Sequence, residues 1–170
     1  MMRDTLFATA RLTLGGYLAA HGAQKLFGVW GGNGIDGTAG FFESVGLAPG
    51  RPHAIAAGVA EAVGGTLTGL GLAHPVGPIM IGSTMGVAAG TVHRGKGPFS
   101  TDGGPELPII NTVAGTLIAL SGPGRLSVDR LVGLRVPSKV VALVAAGGLA
   151  TAVTMVVRAA RSTAPNDDGG

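Results

Sequence analysis

Histidine, lysine and glutamate side chains interrupt long apolar stretches of this sequence, and each one is a candidate functional group. The segment HGAQKLFG places His21 and Lys25 four residues apart at the end of an apolar run, and Glu61 lies inside a second apolar run. Residues four apart share one face of a helix. A charge in hydrocarbon costs about 3 kcal/mol or more, so these side chains are expected to face a bundle interior, where they can donate hydrogen bonds and relay protons.

The depths of the polar residues predict that several of them meet in one pocket. At about 1.5 Å per residue, His21 lies roughly 9 Å before the end of its run and Glu61 roughly 10 Å after the start of the next. Because consecutive helices are antiparallel, His21 and Glu61 then lie at similar depths on the same side of the membrane midplane. Faces rich in small residues pack against neighbouring helices, and Glu61, His93 and Asn111 lie on such faces. The predicted pocket contains His21, Lys25, Glu61, His93 and Asn111, with Glu106 nearby.

Plainer roles for these residues remain open. Lys25 at a helix end can snorkel to lipid headgroups, and His93 can cap a helix. Glu61 can form a structural ion pair with Arg11 or with Lys25, although Arg11 lies deeper, about 15 Å along the helix from His21. A metal site of His21, Glu61 and His93 lacks a local ligand motif, so we predict none. His53 and His74 fall in predicted loops and receive no role.

Five stretches are apolar enough to position these side chains across a bilayer, which takes about 20 residues. They are residues 5–27, 54–73, 76–93, 107–121 and 139–157. Only 12% of the 170 residues are charged and 32 are glycine, whereas soluble domains carry about 25% charged residues. The sequence predicts an all-α membrane protein, a four-helix transmembrane bundle with an added C-terminal hydrophobic helix.

The predicted organisation is a bundle over residues 1–133, an additional hydrophobic helix over 134–158 and a disordered tail over 159–170. The loop that follows the first stretch is expected to hold a short interfacial helix, and residues 122–137 an amphipathic segment. The chain has no cysteine, which excludes disulfides and cysteine-bound clusters. Its net charge of +3 comes from few residues near membrane edges, which indicates lipid contact and no nucleic-acid partner.

Several segments in order resemble the DoxX family of small prokaryotic membrane proteins. They are RLTLGGYLAAHGAQKLFG, TAGFFESVGLAPG, AGVAEAVGGTLTGLGL, TVHRGKGPF and GGPELPIINTVAGTLIALSGPGRLSVDRLV. The resemblance covers about Thr5 to Leu131. The resemblance implies a four-helix membrane bundle in a prokaryotic cell membrane, so the helix after Pro137 is an addition. The recurring polar positions of the family match Arg11, His21, Lys25, Glu61, His93 and Glu106 here.

The resemblance also implies an association with quinone-linked redox chemistry. The first functional hypothesis is a membrane subunit that contacts quinone through the polar pocket and receives electrons from a protein partner or a bound cofactor. The alternative is a membrane anchor that recruits a peripheral oxidoreductase or an oxidative-stress enzyme. No residue is assigned a catalytic role, and whether the chain is an enzyme is left open, as is its cofactor, for which a bound quinone is the candidate.

Overall fold

The computed structural model describes residues 1–162, and within them the chain is all-α, as predicted. Apart from the short 3-10 turns Val29–Gly31 and Ser100–Asp102, this part of the chain forms seven α-helices. They are α1 (Met2–Phe27), α2 (Gly34–Ser44), α3 (Gly50–Leu70), α4 (Val76–Gly90), α5 (Glu106–Ser121), α6 (Val128–Val132) and α7 (Ser138–Ser162). The five predicted apolar stretches correspond to α1, α3, α4, α5 and α7.

Helices α1 and α3 are antiparallel and pack almost backbone against backbone. A Cβ atom placed on Gly22 of α1 would lie 2.6 Å from the carbonyl oxygen of Gly58 on α3, and one on Gly15 would lie 2.7 Å from Cα of Gly69. Such distances leave room for glycine alone. The glycine excess of the sequence therefore builds the central helix pair of the fold, as small residues do between membrane helices.

Helix α4 packs on α3 and also contacts α5 and α7. Gly77 of α4 packs against Thr68 of α3 and Ile81 lies near Gly64, so α3 and α4 are antiparallel. Helices α4 and α5 are antiparallel too, because Gly115 of α5 faces Ile81 while Asn111 lies beside Met85. Ile81 is fully buried and forms one apolar core with Leu18 and Met85.

Helix α7 lies parallel to α4. Gly148 packs on Ser83, and further along the two helices Gly90 packs on Val156. The end of α7 joins a second apolar cluster, in which Ala159 packs with Phe42, Leu47 and Ala54. Contacts with α4 and with the corner between α2 and α3 therefore hold the C-terminal helix.

A network of polar contacts fastens the end of the fold where α1 begins and α3 ends. The side chain of Arg11 is buried and donates hydrogen bonds to the carbonyl oxygens of Gly69, Pro123 and Leu126, the first and last at 3.1 and 2.6 Å. The carboxylate of Asp129 accepts from the backbone N–H groups of Ala73 and His74 at 2.7 and 2.8 Å. These contacts tie the amphipathic segment 122–137 to α1 and to the α3–α4 turn.

Many outward faces of the helices are apolar. Large side chains of α5 and α7 are exposed, including Leu117, Leu120, Leu143 and Leu149. Within residues 1–162, α7 alone is both long and apolar enough to cross a membrane by itself, while α4 and α5 are shorter apolar helices. The prediction of a long apolar C-terminal helix is confirmed. The helix continues to Ser162, so residues 159–162 of the expected tail are helical. The rest of that tail, 163–170, lies outside the described residues.

Candidate functional site

A cavity of about 830 Å³ lies between α3 and α7, with α4 as its floor and α2 across one end. Ala56, Ala57 and Ala60 form its α3 wall. Residues from α7 form the opposite wall, namely Val144, Gly147, Gly148, Thr151 and Met155. Ala56, Gly147 and Thr151 are exposed although they line the cavity, so it is a cleft that opens sideways between α3 and α7.

The charged end of the cleft is an ion pair between helices α1 and α3. The ammonium group of Lys25 donates to the carboxylate of Glu61. Only 4% of the Glu61 residue is exposed, while the Lys25 side chain is 28% exposed. Lys25 lies one turn before Gly28, where α1 ends in a left-handed conformation that glycine favours. The packing of α1 against α3 thus places the ammonium group of Lys25 next to the buried carboxylate of Glu61.

Two histidines, His21 and His53, also line the cavity. His21 is one turn before Lys25, and its Nδ1 atom lies 3.1 Å from Oε1 of Gln24. His53 is in the first turn of α3 and is half-buried. The sequence predicts a loop at His53, because the predicted helix starts at residue 54, whereas α3 starts at Gly50. A proline in the first helical turn is compatible with a helix, so Pro52 could have signalled the earlier start.

The rest of the lining is mainly apolar. Phe41 and Phe42 of α2 and Met80 and Met155 of α4 and α7 contribute large surfaces. The hydroxyls of Ser83, Thr84 and Thr91 donate to backbone carbonyls one turn earlier on α4. Their donor hydrogens are therefore used, and these hydroxyls offer a ligand only acceptor oxygens.

The structure places His93, Asn111 and Glu106 outside the cavity lining. Nδ1 of His93 lies 2.6 Å from the carbonyl oxygen of Gly103, so that nitrogen carries the hydrogen. Glu106 accepts from the backbone N–H of Ser100 at 2.9 Å, and the amide of Asn111 lies 3.7 Å from the sulfur of Met85. These residues organise the α4–α5 connection and the contact between those helices. Of the predicted pocket, His21, Lys25 and Glu61 share the cavity.

Arg11 and Glu61 do not pair with each other. Arg11 is surrounded by the carbonyl oxygens of the α6 end of the fold, and Lys25 occupies the carboxylate of Glu61. The physical reason is depth, since Arg11 is about two helical turns further from Glu61 than Lys25 is. Among residues 1–162, no three histidine and carboxylate side chains lie together as metal ligands.

Comparisons with curated proteins and with solved structures gave no match. A comparison with protein families did give one, since the sequence profile described as DoxX matches residues 6–94. The matched range includes α1, α2, α3 and α4, and with them His21, Lys25 and Glu61, whereas α5, α6 and α7 lie beyond it. DoxX proteins are membrane proteins, and some are linked to thiosulfate:quinone oxidoreductase. Because the match spans more than half of the 170 residues, the chain belongs to the DoxX family.

Proposed function

We propose that this protein is a multi-pass subunit of a prokaryotic membrane redox system, and that it binds quinone in the cleft between α3 and α7. In this proposal α1, α3, α4 and α5 form a transmembrane bundle and α7 is a fifth crossing helix. The observation that carries the proposal is the Lys25–Glu61 pair, with its buried carboxylate, at one end of a cavity that is otherwise mainly apolar. A quinone has the same division, with a polar ring and an apolar tail.

The residues at the charged end suit the chemistry of a quinone ring. Reduction adds two electrons and two protons to a quinone and gives a quinol. The ammonium of Lys25 can donate a hydrogen bond to one carbonyl oxygen and stabilise the charge that reduction develops there. Glu61 and His21 can pass protons to the reduced oxygens, because a carboxylate and an imidazole are proton-transfer groups and both line the cavity. A partner oxidoreductase supplies the electrons.

Two measurements test this proposal. Mass spectrometry of gently extracted protein is expected to show bound quinone together with a co-purifying oxidoreductase. Glu61→Gln and His21→Ala are expected to lower quinone-linked activity of the complex at least tenfold and to leave its assembly intact, since each removes a proton-relay group. A matched control is Glu43→Gln, because Glu43 accepts a hydrogen bond from the backbone N–H of Gly50 at 2.8 Å and is not among the cavity residues.

A different result favours the anchor role. If extracted protein holds a partner and no quinone, and if Glu61→Gln and His21→Ala change assembly only as far as they change stability, the buried pair fixes helix register. The quinone proposal is then wrong, and the protein recruits a peripheral enzyme to the membrane.

A further inference from the structure

We infer that α7 holds the apolar tail of the quinone, and that Gly147 borders the mouth through which this tail enters from the lipid. The inference rests on the proposed function, since the Lys25–Glu61 end of the cavity is taken by the ring. It adds the substrate class, a quinone with a long isoprenoid chain, and it gives a role to the helix that lies outside the matched family range.

The α7 wall has two adjacent glycines with different surroundings. A Cβ atom placed on Gly148 would lie 3.1 Å from Cβ of Ser83, so Gly148 lets α7 pack against α4. A Cβ atom placed on Gly147 would meet no atom within 4 Å. Gly148 is therefore explained by helix packing, whereas Gly147 borders open space on the cavity wall.

The two walls suit a narrow apolar chain. Between His53 and Glu61 the α3 wall consists of Ala56, Ala57 and Ala60, and the α7 wall carries Val144, two glycines, Thr151 and Met155, so this part of the cavity presents no charge. Small side chains on both walls leave a slot between the helices. The polar oxygens of a quinone ring find few hydrogen-bond donors in this slot. An isoprenoid tail can lie along the slot, and the ring attached to it then reaches Lys25 and Glu61.

The mouth of the slot opens toward lipid. Gly147 lies in the middle of α7, and Leu143, one turn earlier on the same side of the helix, is exposed. An opening between apolar helix faces admits a molecule dissolved in the bilayer. A tail that enters here needs no passage through water.

The experiment compares quinones with and without a tail on the full-length protein in lipid nanodiscs. Menadione and menaquinone-4 share a naphthoquinone ring, and only menaquinone-4 has an isoprenoid chain. Binding is measured by quenching of the fluorescence of Trp30, the single tryptophan, which precedes the cavity residues Gly31 and Gly32. Gly147→Leu fills the mouth of the slot. The control is Gly16→Leu on α1, where a Cβ atom also meets nothing within 4 Å and which does not line the cavity.

Gly147→Leu is expected to weaken menaquinone-4 binding about tenfold or more, because a filled site excludes the chain. It is expected to change menadione binding less than about twofold, and Gly16→Leu is expected to change neither. Thr151→Leu, one turn further along the same wall, provides a second filled variant if Gly147→Leu is poorly folded. Its expected effect has the same direction.

The outcomes separate this inference from the proposed function. Unchanged menaquinone-4 binding in the filled variants, or equal losses for the two quinones, means that α7 does not hold the tail, while the ring site stands. If neither quinone binds the wild-type protein, the proposed function is overturned, and the tail assignment with it.

Discussion

The ammonium group of Lys25 and the carboxylate of Glu61 join α1 to α3 at the charged end of the cavity. The two residues are 36 positions apart in the chain. Because Glu61 is buried and Lys25 is partly exposed, the pair has unequal partners, and removing one is expected to differ from removing the other.

Lys25→Met is expected to destabilise the protein by about 2 kcal/mol, because it leaves the buried Glu61 carboxylate without its cation. Adding Glu61→Gln to Lys25→Met is expected to restore much of this loss. The free energy of unfolding in detergent, measured as a double-mutant cycle, checks both values. The exposed pair of Arg51 and Asp36 is the control, and Asp36→Asn is expected to change stability by less than about 1 kcal/mol. A Lys25→Met variant as stable as wild type would contradict the prediction.

Gly22→Val is expected to destabilise the α1–α3 pair by about 3 kcal/mol, because its Cβ atom would overlap the backbone of α3 at Gly58. Gly16→Val is the matched control on the same helix, since its Cβ atom meets no neighbour within 4 Å. Both changes insert the same β-branched side chain, so the difference between their melting temperatures isolates the packing effect. Equal melting temperatures would show that α1 and α3 are further apart.

Arg11→Lys is expected to cost about 2 kcal/mol, because a single ammonium cannot reproduce the planar fork that reaches three carbonyl oxygens. Segment 122–137 is expected to become more accessible to protease in the variant. The control is Arg3→Lys near the start of α1, where the side chain is exposed. If the two variants show the same stability and the same cleavage, the three carbonyl contacts do not fasten this segment.

Stability is expected to fall on acidification because of His74, in the turn between α3 and α4. Burial lowers the pKa of His74 below its usual 6.5; the hydrogen bond to the Ala119 carbonyl and the charge of Asp129 oppose this effect only in part, and the charge of Arg11 adds slightly to it. The unfolded chain then binds the proton more readily than the folded one. Stability is therefore constant above about pH 7.5 and decreases as the pH falls through about 6.5.

His74→Gln is expected to reduce this pH dependence. The ring Nε2 lies 2.9 Å from the carbonyl oxygen of Ala119, so the neutral ring donates there and the glutamine amide can replace that donor. Melting temperatures of wild type and variant between about pH 7.5 and pH 5.5 give the measurement. A variant that keeps the full wild-type slope would assign the pH dependence to another group.

The polar end of the cavity was accessible to sequence reasoning because it depends on helix periodicity and rise. Lys25 and His21 share a face, and Glu61 lies at a matching depth on the antiparallel neighbour. Depth does not fix direction around the bundle axis, however. His93 and Glu106 lie at the expected end of the bundle, but they face the α4–α5 connection.

Other features depend on contacts that leave no periodic signal. The partners of Arg11 are backbone carbonyls, which every residue has, so nothing in the sequence marks Gly69 or Leu126 as acceptors. The position of α7 could not be predicted either. Gly86, Gly90 and Gly148 indicate close helix packing, but they do not show which helices pack together. The cavity between α3 and α7 follows from that placement and could not be predicted from the sequence.

The parallel arrangement of α4 and α7 has a consequence for how the protein meets other proteins. If five helices cross a bilayer, as we propose, Met2 and Ser162 face different compartments. A reporter enzyme that is active in only one compartment is then expected to be active when fused to one terminus and inactive when fused to the other. The basic segment 122–137 then lies in the same compartment as Met2. A soluble partner that binds this segment cannot also contact the C-terminal end of α7 at Ser162.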